Sequence, residues 1–293
     1  MNEIPRFLGT QPTGQVDYSD QSPDNGPMNN SPWQERIERA QELAEKHSFA
    51  REMLGFYIHV ARLQGALYWR LTQTPSPATP RPSISRELDE TKLAELSSSF
   101  ESFLLLSQEH GPRALAEISG ELRSQGRDAW QQLLKRSWAD PLLADAPSLL
   151  ALAVLQPYAE WSRSHISAQK SSRKYALCPH CQRKPVLGVL RPLGEGAARS
   201  LICSFCLGEW EFRRLVCPAC GEENDQKLPV FTASDFDHLR VECCESCKTY
   251  IKTIDLTKNG RAEPIVDEIA AIPLDLWAQE HGYAKLQRNV LGM

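Results

Sequence analysis

Cysteine is missing from most of the chain: all nine cysteines of the 293 residues fall between Cys178 and Cys247. An odd number cannot pair off completely, so a disulfide framework using every thiol is excluded. Long apolar runs are missing too. The longest, Leu149 to Leu155, has seven residues, against the roughly 20 that a helix needs to cross a bilayer. No sign of charge dominates, since 33 Lys and Arg stand against 37 Asp and Glu for a formal net charge of -4. Proteins dedicated to bulk nucleic-acid binding bring a strong basic excess, so nucleic acid is not an expected partner. The opening residues MNEIPRFLGT lack a basic run followed by an apolar stretch. They predict no secretory signal, and hence a cytoplasmic protein with reduced thiols and no membrane insertion. There is no phosphate-cradling glycine loop, no Gly-x-Ser-x-Gly and no zinc-protease helix motif. The chain therefore reads as a non-enzyme.

What is present is globular in composition, 41% hydrophobic and 24% charged. The first thirty residues are rich in Pro, Gly, Asn and Asp, and are expected to form a mobile tail, or an arm that orders on a partner. Order should begin at Ser31, with Pro32 at the first helical position and Gln34 completing a capping box. Met53, Tyr57, Val60, Leu67 and Leu71 recur at helical steps, with Gln64 filling the gap in the stripe. Four prolines between Pro75 and Pro82 make an extended connector. Beyond it, Leu93, Leu96, Phe100, Phe103 and Leu104 mark another buried face, and Asp145 with Pro147 starts a helix that Pro157 should kink or end. Trp69, Trp130, Trp138 and Trp161 are expected in the core, and His47, His59 and His110 are read as ordinary histidines. Residues 31–170 thus form an all-α domain.

From about Lys174 the texture changes to short strand-like pieces such as PVLGVL, RSLIC, LPVF, LRVEC and TYIKTIDL, separated by cysteine turns. The last residues, 263–293, return to helical character. The predicted class is α+β, with a helical domain, two tandem small metal-pinned β modules over 171–214 and 215–262, and a C-terminal helix.

The modules are defined by four Cys-x-x-Cys pairs. Such a gap lets both thiolates of a tight turn reach one ion, and a tetrahedral site needs two such turns. Between the first and second pairs lie 21 residues, between the third and fourth 23, and between the second and third only ten. The longer intervals each accommodate two strands, and the halves look like a loose duplication. Sequential pairing then joins Cys178, Cys181, Cys203 and Cys206 in one site and Cys217, Cys220, Cys244 and Cys247 in the other. A cross-brace, first pair with third and second with fourth, is the competing arrangement. Tetrahedral sulfur suits zinc or a single iron, and an iron–sulfur cluster is a third occupant. A fully ligated ion has no open position for water, so the metals are expected to hold the fold. Cys243 is left over, as a buried small residue, a reactive thiol or a substitute ligand. The Lys/Arg-rich stretch from Lys170 to Arg199 is either a solvated face or a patch for nucleic acid or an acidic partner.

The sequence resembles the FdhE family of formate dehydrogenase accessory proteins in CPHC, CSFCLGEWEFRRLVCPAC, HLRVECCESCKTYIK and VDEIAAIPLDLWAQEHGYA, which together span about Lys174 to Ala284. The resemblance implies a cytoplasmic maturation factor for respiratory, molybdenum-containing formate dehydrogenase, which contacts the catalytic subunit during assembly. It also implies that the two modules are rubredoxin-like or zinc-ribbon-like, with iron at the paired cysteines: two ions of four Cys each, with zinc as the alternative occupant. CPHC lacks the glycine that follows CPAC, which should alter that turn. On this basis Trp210, Arg213, Arg214, His238 and Arg240 are candidate partner-binding residues, and a homo-oligomer is left open. Two rival roles are an electron or thiol donor in cofactor insertion and a zinc-ribbon nucleic-acid binder.

Overall fold

The computed structural model describes residues 2–4, 32–74, 83–140, 145–166 and 176–293. The Ser31 cap, the proline connector, most of the expected tail, and Lys170, Arg173 and Lys174 lie outside the described residues.

Among the described residues, six α-helices precede the main run of strands: α1 (Pro32–Lys46), α2 (Arg51–Thr72), α3 (Glu90–His110), α4 (Arg113–Gln125), α5 (Arg127–Ala139) and α6 (Ala146–Ser164). Asp89 and Asp145 cap α3 and α6, accepting from the backbone N–H of Thr91 and Ser148. The apolar stripe of α2 is buried as expected from Tyr57 to Leu71, with Met53 partly buried at its start, but Trp69 is 42% exposed. It stands two residues from both Leu67 and Leu71, about 200° around the helix, and so faces away from the stripe.

Pro157 neither ends nor interrupts α6. A proline inside a helix deprives the carbonyl four residues earlier of its donor. Here that carbonyl is Ala153, and the buried Gln64 of α2 supplies the missing bond from Nε2 at 2.6 Å. The polar residue in the middle of the α2 stripe is thus the complement of the proline in α6.

The strands are β1 (Asn2–Ile4), β2 (Pro185–Leu193), β3 (Gly196–Cys203), β4 (Glu209–Glu211), β5 (Val230–Ala233), β6 (Phe236–Cys243), β7 (Thr249–Asp255) and β8 (Ala284–Lys285). They form one sheet in the order β1-β5-β6-β7-β2-β3-β4, with β8 also paired to β7. Each four-cysteine unit repeats one plan: a cysteine turn, two antiparallel strands, a second turn, and a third strand antiparallel to the second. Parallel pairing of β2 with β7, Gly188 opposite Thr253, fuses the two units into a single sheet. The expectation of a mobile tail is corrected at its start, where Asn2–Ile4 pair in parallel with β5 and Ile4 is buried. Its ladder covers an edge that β5 would otherwise leave unpaired.

After the sheet come α7 (Pro264–Ala270), capped by Glu263, and α8 (Ile272–Glu280). The C-terminal helical stretch is split at Ala271, two residues ahead of Pro273, whose missing N–H and ring disfavour a continuous helix. Two apolar clusters form the core, and α2 feeds both: Leu54, Tyr57 and Ile58 join α1, α7 and the sheet, whereas Phe56, Val60, Leu67 and Leu71 join α3 to α6. No helix among the described residues is long and apolar enough to cross a membrane.

Candidate metal centres

Each cysteine turn is built the same way. The N–H of its first cysteine donates to the carbonyl five residues on, in Cys178 to Arg183, Cys203 to Gly208, Cys217 to Glu222 and Cys244 to Thr249. The residue after its second cysteine takes a positive φ: 60° at Gln182, 50° at Leu207, 79° at Gly221 and 55° at Lys248. Glycine holds this left-handed position without steric cost, yet three of the four turns use another residue. The missing glycine in CPHCQ therefore does not alter the turn; Gln182 adopts the same conformation. Backbone N–H groups of His180, Phe205 and Ala219 point at Cys178, Cys203 and Cys217 Sγ, each at 3.4 Å.

The turns meet in sequential pairs. Cys178, Cys181, Cys203 and Cys206 converge in one group and Cys217, Cys220, Cys244 and Cys247 in another, all four sulfurs of a group lying within 4.8 Å of one another. Sulfur–sulfur distances are 3.6 Å for Cys178–Cys206 and 3.3 Å for Cys181–Cys203 in the first, and 3.7 Å for both Cys217–Cys247 and Cys220–Cys244 in the second. A tetrahedral ion with metal–sulfur bonds of about 2.3 Å sets its sulfurs about 3.8 Å apart. Each group is thus nearly of the size and composition that one zinc or iron ion requires.

The thiols are electrostatically prepared for a cation. Hydrogen bonds from Cys181, Cys203 and Cys206 hold Cys178 far below the ordinary thiol range, while burial pushes Cys203 well above it. At the second site burial raises Cys244 to about 12. It would raise Cys247 as well, but the Thr249 hydroxyl and N–H, with help from neighbouring thiols, bring it down to about 7. A cation therefore meets one favoured thiolate in each group, Cys178 and Cys247, and displaces the proton that burial holds on Cys203 and on Cys244.

The two centres differ in setting. At the first, Cys178, Cys203 and Cys206 are buried against the helical core. Arg183 donates from Nη2 to the carbonyls of Ser137 and Trp138 at the end of α5, and its guanidinium lies 3.9 Å from the Phe205 ring centroid. From α6, Gln156 donates to Ser204 O and Arg163 to Cys206 O. At the second, Cys220 is exposed and Cys247 partly so. The Glu222 carboxylate accepts from the Ser246 hydroxyl at 2.5 Å, linking its two turns.

Cys243 lies outside both groups, buried on β6, where desolvation and the charges of Glu245 and Glu242 push its thiol up to about 12. Its burial fits the small-residue alternative, and the raised pKa disfavours a reactive thiolate.

Of the five candidate partner residues, two are corrected by burial. Trp210 is 3% exposed, opposite Leu201 on the β3–β4 ladder, and packs in the core. His238 is 6% exposed, with Nε2 2.7 Å from Asp267 Oδ1. Strand alternation sends the Trp210 ring inward, between Glu209 and Glu211. Arg213 and Arg214 are exposed; Arg213 forms a two-pronged pair with Glu223 at 2.5 and 2.9 Å. Arg240 is partly buried beside Glu242. In the described part of the basic stretch, Arg183 and Arg199 are buried and Arg191 is paired with Glu209, so these three arginines do not form a free basic face.

Sequence reasoning missed the buried charge network behind β7. Lys252 Nζ lies 3.0 Å from Glu268 and 2.6 Å from Asp275, and Lys285 pairs with the same two carboxylates. Tyr250 OH donates to Asp275 at 2.7 Å and Asn289 to Glu268 at 2.8 Å. The available signal was a lysine at the centre of an otherwise apolar strand, TYIKTI, two residues from the aromatic on its own face.

Comparison with known proteins agrees with this architecture. Residues 177–214 match the family model described as FdhE, central domain, and residues 215–291 that described as FdhE, C-terminal domain. A protein FdhE homolog of Aquifex aeolicus is 30% identical over 268 residues, covering 87% of this chain and 94% of that protein. Another, from Pseudomonas aeruginosa, is 28% identical over 286 residues, 87% of this chain and 88% of that one. The crystal structure of the FdhE protein from Pseudomonas aeruginosa shares the fold, with a TM-score of 0.65 at 24% identity over 89% of this chain and 96% of that one. With both domain models lying over the four-cysteine units and the Aquifex relative matched along nearly its whole length, the chain belongs to the FdhE family.

Proposed function

We propose that this protein is a maturation factor for a respiratory, molybdenum-containing formate dehydrogenase, and that it binds the catalytic subunit in the cytoplasm while that enzyme is assembled. Family membership along almost the whole chain carries the reading. In it the eight paired cysteines hold two ions, iron with zinc as the alternative, and the modules 171–214 and 215–262 present a docking surface on the frame of the helical unit 31–170 and the segment 263–293. The chemistry of the donor sets favours a supporting role for the ions: four thiolates saturate a tetrahedral ion, leaving no position for a substrate. The chain is accordingly read as an accessory factor and not an enzyme.

The test is a pull-down from the native host with tagged protein, paired with formate dehydrogenase activity in a strain lacking the chain. Co-purification of the catalytic subunit and loss of activity are expected; no association together with intact activity overturns the proposal. A second reading, electron transfer, is favoured by the exposure of Cys220, which brings one centre to the surface. Iron can change oxidation state there and zinc cannot. Stoichiometric zinc in protein isolated anaerobically from the native host removes that reading.

A further inference from the structure

Where the two four-cysteine units join, the surface opens into a cleft of about 90 Å³. One wall comes from the first unit, with Leu190 and Arg199, and Leu215 stands at the junction. The other comes from the second, with Leu228, Arg240 and Glu242, and the Cys217 turn closes one end. Three arginines, Arg199, Arg214 and Arg240, line it against the single acid Glu242.

The charge is not fully used within the chain. Arg199 Nη2 takes one oxygen of Glu242 at 2.6 Å, leaving the other for Arg240 at 3.6 Å. Arg240 also faces Asp255 at 3.8 Å, and both its contacts are longer than a hydrogen bond. The Nε atoms of Arg199 and Arg240 are buried without a hydrogen-bond partner. A guanidinium has five donors in a fork that matches a carboxylate, and burying it with donors unused is costly. Around this charge the walls are aliphatic, and at the rim Leu215 is 62% exposed beside the exposed Arg214.

Size decides what class of ligand fits. A cleft of about 90 Å³ is small, with room for the end of a side chain. Pockets that enclose a cofactor or nucleotide run to about 300–1,000 Å³. An open rim with an exposed leucine suits apposition to a second macromolecule.

We propose that the cleft receives an acidic side chain of an extended segment of the client protein, with Arg240 binding the carboxylate and Leu215 covering an apolar neighbour in the same segment. The site rests on the proposed function, of which it names the docking point. It places recognition at the junction of the units, so that both centres hold a wall in position: the Cys203 turn ends β3, which carries Arg199, and the Cys217 turn follows Leu215.

The experiment measures binding of the metal-loaded chain to the immobilised catalytic subunit, purified from the same host. Arg240→Gln and Leu215→Asp are each expected to weaken binding at least tenfold with metal content unchanged. Leu193→Asp, equally exposed at 63% and outside the cleft, should leave it unaltered. If Arg240→Gln loses metal, Leu215→Asp alone decides, since its side chain is at the surface. Wild-type binding that both variants retain within twofold overturns the cleft and spares the proposed function. Failure of the wild type to bind overturns the proposed function and the cleft with it.

Discussion

Gln182, Leu207, Gly221 and Lys248 occupy one position in four successive turns, and three of them do so against the usual preference of an L-residue. The strain is small, about 1–2 kcal/mol each, and metal–thiolate bonding exceeds it by far. What differs between the centres is access. Cys178, Cys203 and Cys206 are buried, whereas Cys220 reaches solvent. A chelator is therefore expected to remove one ion quickly, from the Cys217–Cys247 group, and the other slowly. Metal content followed over time should fall in two phases, and Cys220→Ser should abolish the fast one. Loss of both ions in a single phase would contradict the assignment.

Among the elements, the pairing that matters most for unity is β2 with β7, because it alone of the ladders joins the first unit directly to the second. Gly188 makes the close approach workable. A Cβ at that position would stand 2.4 Å from Thr253 Oγ1 and 3.3 Å from its Cβ, and a β-branched side chain has little freedom to move aside. Gly188→Ala should destabilise the metal-loaded protein by about 1–3 kcal/mol through overpacking. The Thr253 hydroxyl is buried without a partner, so Thr253→Ala should cost little and, combined with Gly188→Ala, restore most of the loss. Denaturant unfolding of the two single variants and the double variant measures that coupling; strictly additive losses would show that the contact is not the cause.

Viewed whole, the molecule is held together by buried charge as well as by apolar burial. Arg39 of α1 grips Asp267 of α7 through two bonds of 2.9 and 2.6 Å, Arg183 ties the first centre to α5, and Lys252 with Lys285 neutralises Glu268 and Asp275 between the sheet and the C-terminal helices. Removing one member of a buried network is severe, because its partners stay behind as unpaired charges. Lys252→Met is expected to cost about 3–5 kcal/mol, read from denaturant unfolding. Burial alone would raise the Glu268 carboxyl, but Lys252 and Lys285 outweigh it and hold it at about 2. Its unfolded value is about 4.3, so its contribution is complete above that pH and is lost as pH falls toward 2. Stability measured across this interval should fall more steeply in the wild type than in Glu268→Gln; equal slopes would refute the account.

The cysteine spacing pointed to sequential groups, since intervals of 21 and 23 residues each fit a pair of strands, but it left a cross-brace open; the tertiary structure decides between them by bringing Cys178 and Cys181 to Cys203 and Cys206. Helical periodicity was enough to place the α2 stripe, because a period of 3.6 is a property of neighbours in the chain. The exposure of the candidate docking residues was legible only in part. Arg213 and Arg214 are on the surface as expected, but Trp210 and His238 face inward, and the side of a strand that is covered depends on helices distant in sequence. The same reason hid the partnership of Gln64 with Pro157, the fusion of the two units through Gly188 and Thr253, and the cleft between Arg199 and Arg240. Each is a contact between segments whose proximity no local pattern encodes, and it exists because the sheet and the helices bury their apolar faces against one another.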